Sequence, residues 1–71
     1  MAEQVRAEMV ANVMSVVVEQ GEEVSEGDTL VILESMKMEI PVLAESPGIV
    51  VTLAVVQGQV VQEGDLIAEI D

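Results

Sequence analysis

The chain contains no cysteine, no histidine and no aromatic residue, and it has one lysine and one arginine among its 71 residues. Each absence removes a class of chemistry. Without cysteine there are no disulfides, no thiol nucleophile and no thiolate metal site. Without histidine the commonest general base and metal ligand is gone, and transition-metal chemistry goes with it. Without aromatics, the core must be assembled from Val, Ile, Leu, Met and Ala. Basic residues are nearly absent, whereas Asp and Glu number 14, so the net charge is −12. Such a surface repels nucleic acid and anionic membrane, and suits partners with basic docking surfaces.

Apolar residues make up 51% of the chain, enough for one small core. The length fits one domain spanning residues 1–71, expected to be a monomer alone. Largely apolar stretches such as Val13 to Val18 are far too short to cross a bilayer as a helix. No basic start followed by an apolar run and a small-residue cleavage site is present, so the expected location is cytoplasmic.

The sequence repeats itself at an offset of 37 residues. Ala7-Glu8 falls on Ala44-Glu45, Val13 on Val50, and Val18 on Val55. Gln20-Gly21 falls on Gln57-Gly58, Val24 on Val61, and Glu26-Gly27-Asp28 on Glu63-Gly64-Asp65. Val16 and Leu53, Leu30 and Ile67, Leu33 and Ile70 align as apolar positions. Solenoids need three or more units, so two copies point to one closed unit with a pseudo-twofold axis. Within each copy the segments read as strands: Val13–Glu19 and Leu30–Glu34, then Val50–Val56 and Leu66–Ile70. They are short, rich in β-branched residues and separated by glycine-containing turns. No helical period is sustained. The expected fold is all-β, a flattened barrel or sandwich of two small antiparallel sheets.

Lys37 lies between the copies, in Glu34-Ser35-Met36-Lys37-Met38-Glu39. Its repeat-mate falls beyond the last residue, so a twofold axis puts the lysine and the chain ends at opposite poles. An enzyme that modifies a lysine of this chain has only this one to use.

Glu-Ser-Met-Lys-Met-Glu resembles the attachment site of the biotinyl/lipoyl carrier domain family. The resemblance extends over almost the whole chain. It takes in Glu26-Gly27-Asp28 before the site, Ala44-Glu45-Ser46-Pro47-Gly48-Ile49-Val50 after it, and the closing Glu63-Gly64-Asp65-Leu66-Ile67. It implies the family's hammerhead fold, with Lys37 at the tip of a tight hairpin and joined by an amide to the cofactor. Met-Lys-Met is the biotin form of the motif, and lipoyl domains typically carry Asp-Lys-Ala. The small free-standing members similar to biotin carboxyl carrier proteins are the nearest in kind. By this resemblance the chain is no enzyme. It is a substrate of biotin protein ligase and a carrier that moves a carboxyl group between biotin carboxylase and carboxyltransferase sites. A lipoyl carrier of the same fold, or an unmodified interaction module, are the competing readings.

Around the lysine, Glu34, Ser35, Met36, Met38 and Glu39 are the candidate ligase-recognition residues. Methionine adapts to a partner's pocket because it is unbranched and polarizable. Met38 is expected to serve recognition and Met36 to divide between core and recognition. Two carboxylates near the only amine suit a basic ligase and would keep the amine protonated until docking. One departure concerns Ala7-Glu8-Met9-Val10-Ala11, where the family often reads Ala-Pro-Met-x-Gly, so Ala11 is expected to follow a slightly different backbone. Some carriers also have an inserted loop over the biotin. No segment is available for one here, so the arm is expected to be mobile.

Overall fold

The computed structural model describes residues 3–71. Eight strands form: β1 (Glu3–Arg6), β2 (Ala11–Val16), β3 (Glu23–Val24), β4 (Thr29–Ser35), β5 (Met38–Leu43), β6 (Gly48–Leu53), β7 (Val60–Val61) and β8 (Leu66–Ile70). They make two four-stranded antiparallel sheets, ordered β1-β8-β6-β3 and β5-β4-β2-β7. The internal repeat exchanges the two sheets. Adding 37 to the numbers of β1, β2, β3 and β4 leads to β5, β6, β7 and β8.

The twofold relation holds to the level of single hydrogen bonds. The Ala7 N–H donates to the Asp65 carbonyl at 2.9 Å, and the Ala44 N–H to the Asp28 carbonyl at 2.9 Å. Register breaks lie between Val13 and Ser15 in one half and between Val50 and Thr52 in the other. The Glu-Gly-Asp turns also match. The Ser25 N–H donates to Asp28 Oδ2 at 2.8 Å, and the Gln62 N–H donates to Asp65 Oδ2 at 2.9 Å. Each aspartate thus closes its own turn, and the glycine before it takes the positive φ that the reversal demands (89° at Gly27, 91° at Gly64).

The core follows the same symmetry. The buried pairs are Ala7 with Ala44, Val13 with Val50, Val18 with Val55, Val24 with Val61, Leu30 with Ile67, Val31 with Ala68, and Leu33 with Ile70. Only Val5 and Ala11 are buried without a buried twofold mate. No polar or charged residue is buried among those described, so every carboxylate of this acidic chain stays at least partly in water. Aliphatic burial at about 25 cal/mol per Å² is therefore the main stabilising term.

One expectation needs correction, and β1, β3, β5 and β7 were not bounded in the sequence. The strands containing Val13 and Val50 end earlier than the sequence suggests, at Val16 and Leu53. Beyond Val16 the chain enters a turn in which the Glu19 N–H is held by the Glu22 carboxylate at 3.0 Å, and beyond Leu53 a matching turn in which the Val56 N–H is held by Gln59 Oε1 at 3.1 Å. Strand β5, implied only as the second arm of the expected hairpin, had no readable bounds because it is an edge strand with only partial burial, and it carries Pro41. Strand β1, mostly polar, gave no pattern at all.

Ala11 begins β2 without positive φ, whereas its mate Gly48 has φ 158°. A Cβ on Gly48 would lie 2.9 Å from the Asp71 carbonyl oxygen and 2.9 Å from Ile70 Cγ2. The close approach that requires glycine therefore exists only in the second half.

Candidate attachment site

Strands β4 and β5 pair from Thr29↔Leu43 to Ser35↔Met38, which leaves Met36 and Lys37 as a two-residue turn. Both have positive φ, 53° and 66°, and they are the only non-glycine residues described with that conformation. Positive φ at both central positions is the type I′ geometry that matches the right-handed twist of a hairpin. That turn normally uses Asn-Gly. For side chains such as Met and Lys the left-handed region costs about 1 kcal/mol or more per residue. The strain is tolerated because the flanking strands fix the register through Leu33↔Ile40 and Glu34↔Glu39. Leu33 anchors the stem, with 2% of its surface exposed.

The turn holds its side chains outward. Lys37 is exposed, and among the described residues its amine has neither an ion-pair nor a hydrogen-bond partner. Met36 is 88% exposed and Met38 56%, so the core role expected for Met36 is not realised. Glu34 and Glu39 face each other across the hairpin, two like charges in a directly opposed pair. Such a pair opposes hairpin closure by a few tenths of a kcal/mol. Neither carboxylate is within salt-bridge distance of the lysine. All the sequence-nominated residues, Glu34, Ser35, Met36, Lys37, Met38 and Glu39, therefore share one hairpin tip.

The twofold axis fixes where that tip lies. Asn12↔Glu34 in one half corresponds to Ile49 and Asp71 in the other, whose backbones exchange two hydrogen bonds of 2.9 Å. The lysine hairpin and the end of β8 are thus related by the axis and point away from each other. The molecule is elongated, 32 × 18 × 17 Å.

Sequence reasoning missed one feature of the site. A shallow groove of about 340 Å³ runs beside the lysine, lined by Val10, Ala11, Asn12, Glu34, Ser35, Met36, Lys37 and Val60. Val10, Asn12 and Val60 reach it from β7 and from around the start of β2, by cross-strand register rather than by proximity in sequence. The only signal was that these positions break the repeat. Val10, Asn12 and Val60 face Pro47, Ile49 and Glu23 in the other half.

Among the described residues no helix is long and apolar enough to cross a membrane, and no cluster of acidic side chains is placed to hold a metal ion.

Comparison with known proteins agrees with this geometry. The model of the biotin/lipoyl family, described as "Biotin-requiring enzyme", matches residues 3–70. The biotinylated protein TB7.3 homolog of Mycolicibacterium smegmatis is 73% identical over 44 residues. That alignment covers 62% of this chain and 62% of the relative, so it spans somewhat less than two thirds of the relative's length. The crystal structure of Kluyveromyces lactis urea carboxylase contains a similar region. It gives a TM-score of 0.92 at 34% identity, covering 100% of this chain and 6% of that one. The lipoyl domain of the 2-oxoglutarate dehydrogenase complex of Azotobacter vinelandii gives a TM-score of 0.78 at 21% identity, covering 94% of this chain and 95% of that one. At that identity the likeness speaks for the fold alone. With eight strands in two twofold-related sheets and a lone lysine on the turn between the repeats, the chain belongs to the biotin/lipoyl family of biotin-requiring proteins, as a non-catalytic carrier domain.

Proposed function

We propose that Lys37 is the attachment point of biotin, and that the loaded domain carries a carboxyl group between the biotin carboxylase and carboxyltransferase sites of a biotin-dependent carboxylase, one of acyl-CoA type. The observation that carries this reading is the exposed, unpartnered Lys37 amine at the apex of a type I′ turn. The fit is chemical. An amine must lose its proton and reach an activated acyl carbon to form an amide. Here no contact has to be broken first. The chain offers no histidine to take the proton, so the ligase provides the base and the activated acyl group, whose leaving group departs with its bonding electrons. Met36 and Met38 give the ligase an adaptable apolar grip on each side of the nucleophile, Ser35 continues the stem, and Glu34 with Glu39 gives it a doubled negative charge.

When bound, biotin supplies a ureido group that can accept and release a carboxyl group. The protein's own contribution is placement. A short tether holds the group at high effective concentration near whichever site the domain has docked on. The turn lies at one pole of an elongated body, so the rest of the domain does not obstruct either encounter. The net charge of −12 suits basic docking surfaces on both partners.

The likeness to a region of urea carboxylase supports the carboxylase setting. The name of the mycobacterial relative supports biotin over a lipoyl group, as do the Met flanks. The test is to isolate the protein from cells and weigh it intact, then add it to separated carboxylase and carboxyltransferase components. A mass increase equal to one biotinyl group, with carboxyl transfer that depends on the added protein, is the expected result. A lipoyl mass, or transfer that ignores the protein, overturns the reading.

A further inference from the structure

The twofold axis provides an internal control for the groove beside Lys37. The same strands recur at the opposite pole, apart from the Ala11/Gly48 position and the Met36-Lys37 turn, so side chains that differ between matching strand positions are not demanded by the strand pairing itself. At the chain-end pole the equivalent positions hold Glu23, Pro47 and Ile49. At the lysine pole they hold Val60, Val10 and Asn12. The edge strand β7 thus displays a valine, 57% exposed, where its mate β3 displays a glutamate. A charged residue on an exposed edge is the usual protection against unwanted pairing, and here it has been given up. Val10, 60% exposed, and Met36, 88% exposed, line the same groove. At one lining position an amide stands where the other pole has an isoleucine. The Asn12 side chain has no hydrogen-bond partner among the described residues. The lysine pole therefore places its exposed apolar side chains at Val10, Val60 and Met36, around one free amide.

We propose that this groove is a resting site for the biotinyl group carried by Lys37 itself, an inference that rests on the attachment proposed above. The chemistry matches on both counts. A ureido head offers N–H donors and a carbonyl acceptor, which the Asn12 amide complements with its own carbonyl and NH₂. The alkyl chain and the thioether-containing ring meet Val10, Val60 and Met36. The reach is sufficient. In the strand order β5-β4-β2-β7, Val60 lies two strands from Glu34, about 10 Å across the sheet. The lysine stem and the biotin's own chain, joined by an amide, exceed that span. Because Lys37 lines the groove, the group is delivered there by its tether, and a weak contact suffices for partial occupancy. The groove is shallow and leaves the arm able to depart. Its consequence is to shield the biotin's apolar surface between encounters.

The test compares isotope-labelled protein carrying biotin on Lys37 with protein carrying acetyl-lysine at position 37. The acetyl form has the same amide and the same lost charge but no head group. Expected are shifted resonances of Val10, Asn12 and Val60 in the biotinyl form alone, with nuclear Overhauser contacts between the biotin ring and the Val60 methyls. Val60→Glu, which copies the side chain at the twofold-related position, should reduce those shifts to the level of the acetyl form. Asn12→Ile, copying Ile49, should do the same should the first variant fold poorly. Identical spectra of the biotinyl and acetyl forms at Val10, Asn12 and Val60 overturn the resting site while leaving attachment intact. An intact mass without biotin after treatment with ligase overturns the attachment reading and this inference together.

Discussion

Two strand pairs in this molecule are copies of each other, and only one is covalently closed. β4 pairs with β5, and β8 pairs with β1, in equivalent registers: Leu33↔Ile40 in one, Ile70↔Glu3 in the other. The first pair is joined by the Met36-Lys37 turn. In the second, the chain runs into β1 at one end and out of β8 at the other. Since the open pair forms as well as the closed one, the turn is not what holds the strands together. The buried residues Leu33 and Ile70 and the bulges do that. A turn freed from a structural task can hold two side chains in the left-handed region, where a structural turn would carry Asn-Gly. The lysine pole therefore carries left-handed backbone at two side chains, which the chain-end pole, having no turn, does not.

The comparison is most severely stressed in the core. Leu30 and Ile67 are twofold mates, each fully buried. Leu30→Ala and Ile67→Ala should each destabilise by about 2–5 kcal/mol, and by similar amounts, in denaturant unfolding. A wide gap between them would mean that the halves do not share the load. Next is the one backbone site where the halves differ. Gly48→Ala pushes a Cβ to 2.9 Å from the Asp71 carbonyl and should cost about 1–3 kcal/mol. Ala11→Gly at the mate position should cost under about 1 kcal/mol. Reversal of that order would show the Gly48 contact to be harmless.

Smaller and opposite in sign is the effect expected in the turn. Lys37→Gly should raise stability by about 1 kcal/mol, because glycine takes positive φ without penalty, while all labelling by the ligase is lost. A destabilised Lys37→Gly protein would show that the turn is unstrained. The smallest stability effect is expected at Met38→Ala. With Met38 56% exposed, the melting temperature should change by no more than about 2–4 °C while the labelling rate falls several-fold. A large loss of stability with unchanged labelling would assign Met38 to the core.

What was legible in the sequence follows the same division. The candidate lysine could be read because it occurs once in the chain, whereas the hairpin around it was implied only by the resemblance of Glu34-Ser35-Met36-Lys37-Met38-Glu39 to a family's attachment motif. The Glu-Gly-Asp turns could be read because one glycine and one aspartate carry their whole geometry, as the Ser25–Asp28 and Gln62–Asp65 hydrogen bonds confirm. Leu66–Ile70 was bounded correctly, being a short apolar run straight after a turn. The edges were not legible. β5 alternates only partly, includes Pro41, and is recognisable mainly through its partner β4. The ends of β2 and β6 were overrun because valine continues past Val16 and Leu53, although side-chain hydrogen bonds at Glu22 and Gln59 already turn the chain. The groove at Lys37 was invisible for another reason. It joins Asn12 to Val60 across a register that exists only once the sheet is formed.

The claim that the strained turn exists to present Lys37 is tested most directly by mapping the product of a ligase reaction. The protein and its Lys37→Arg variant are incubated with biotin, ATP and biotin protein ligase, then digested and analysed by mass spectrometry. The account predicts one biotinyl group on Lys37 of the unaltered protein and none on the variant, whose fold is unchanged. Biotin on the N-terminal amine instead, or equal labelling of both proteins, would contradict it.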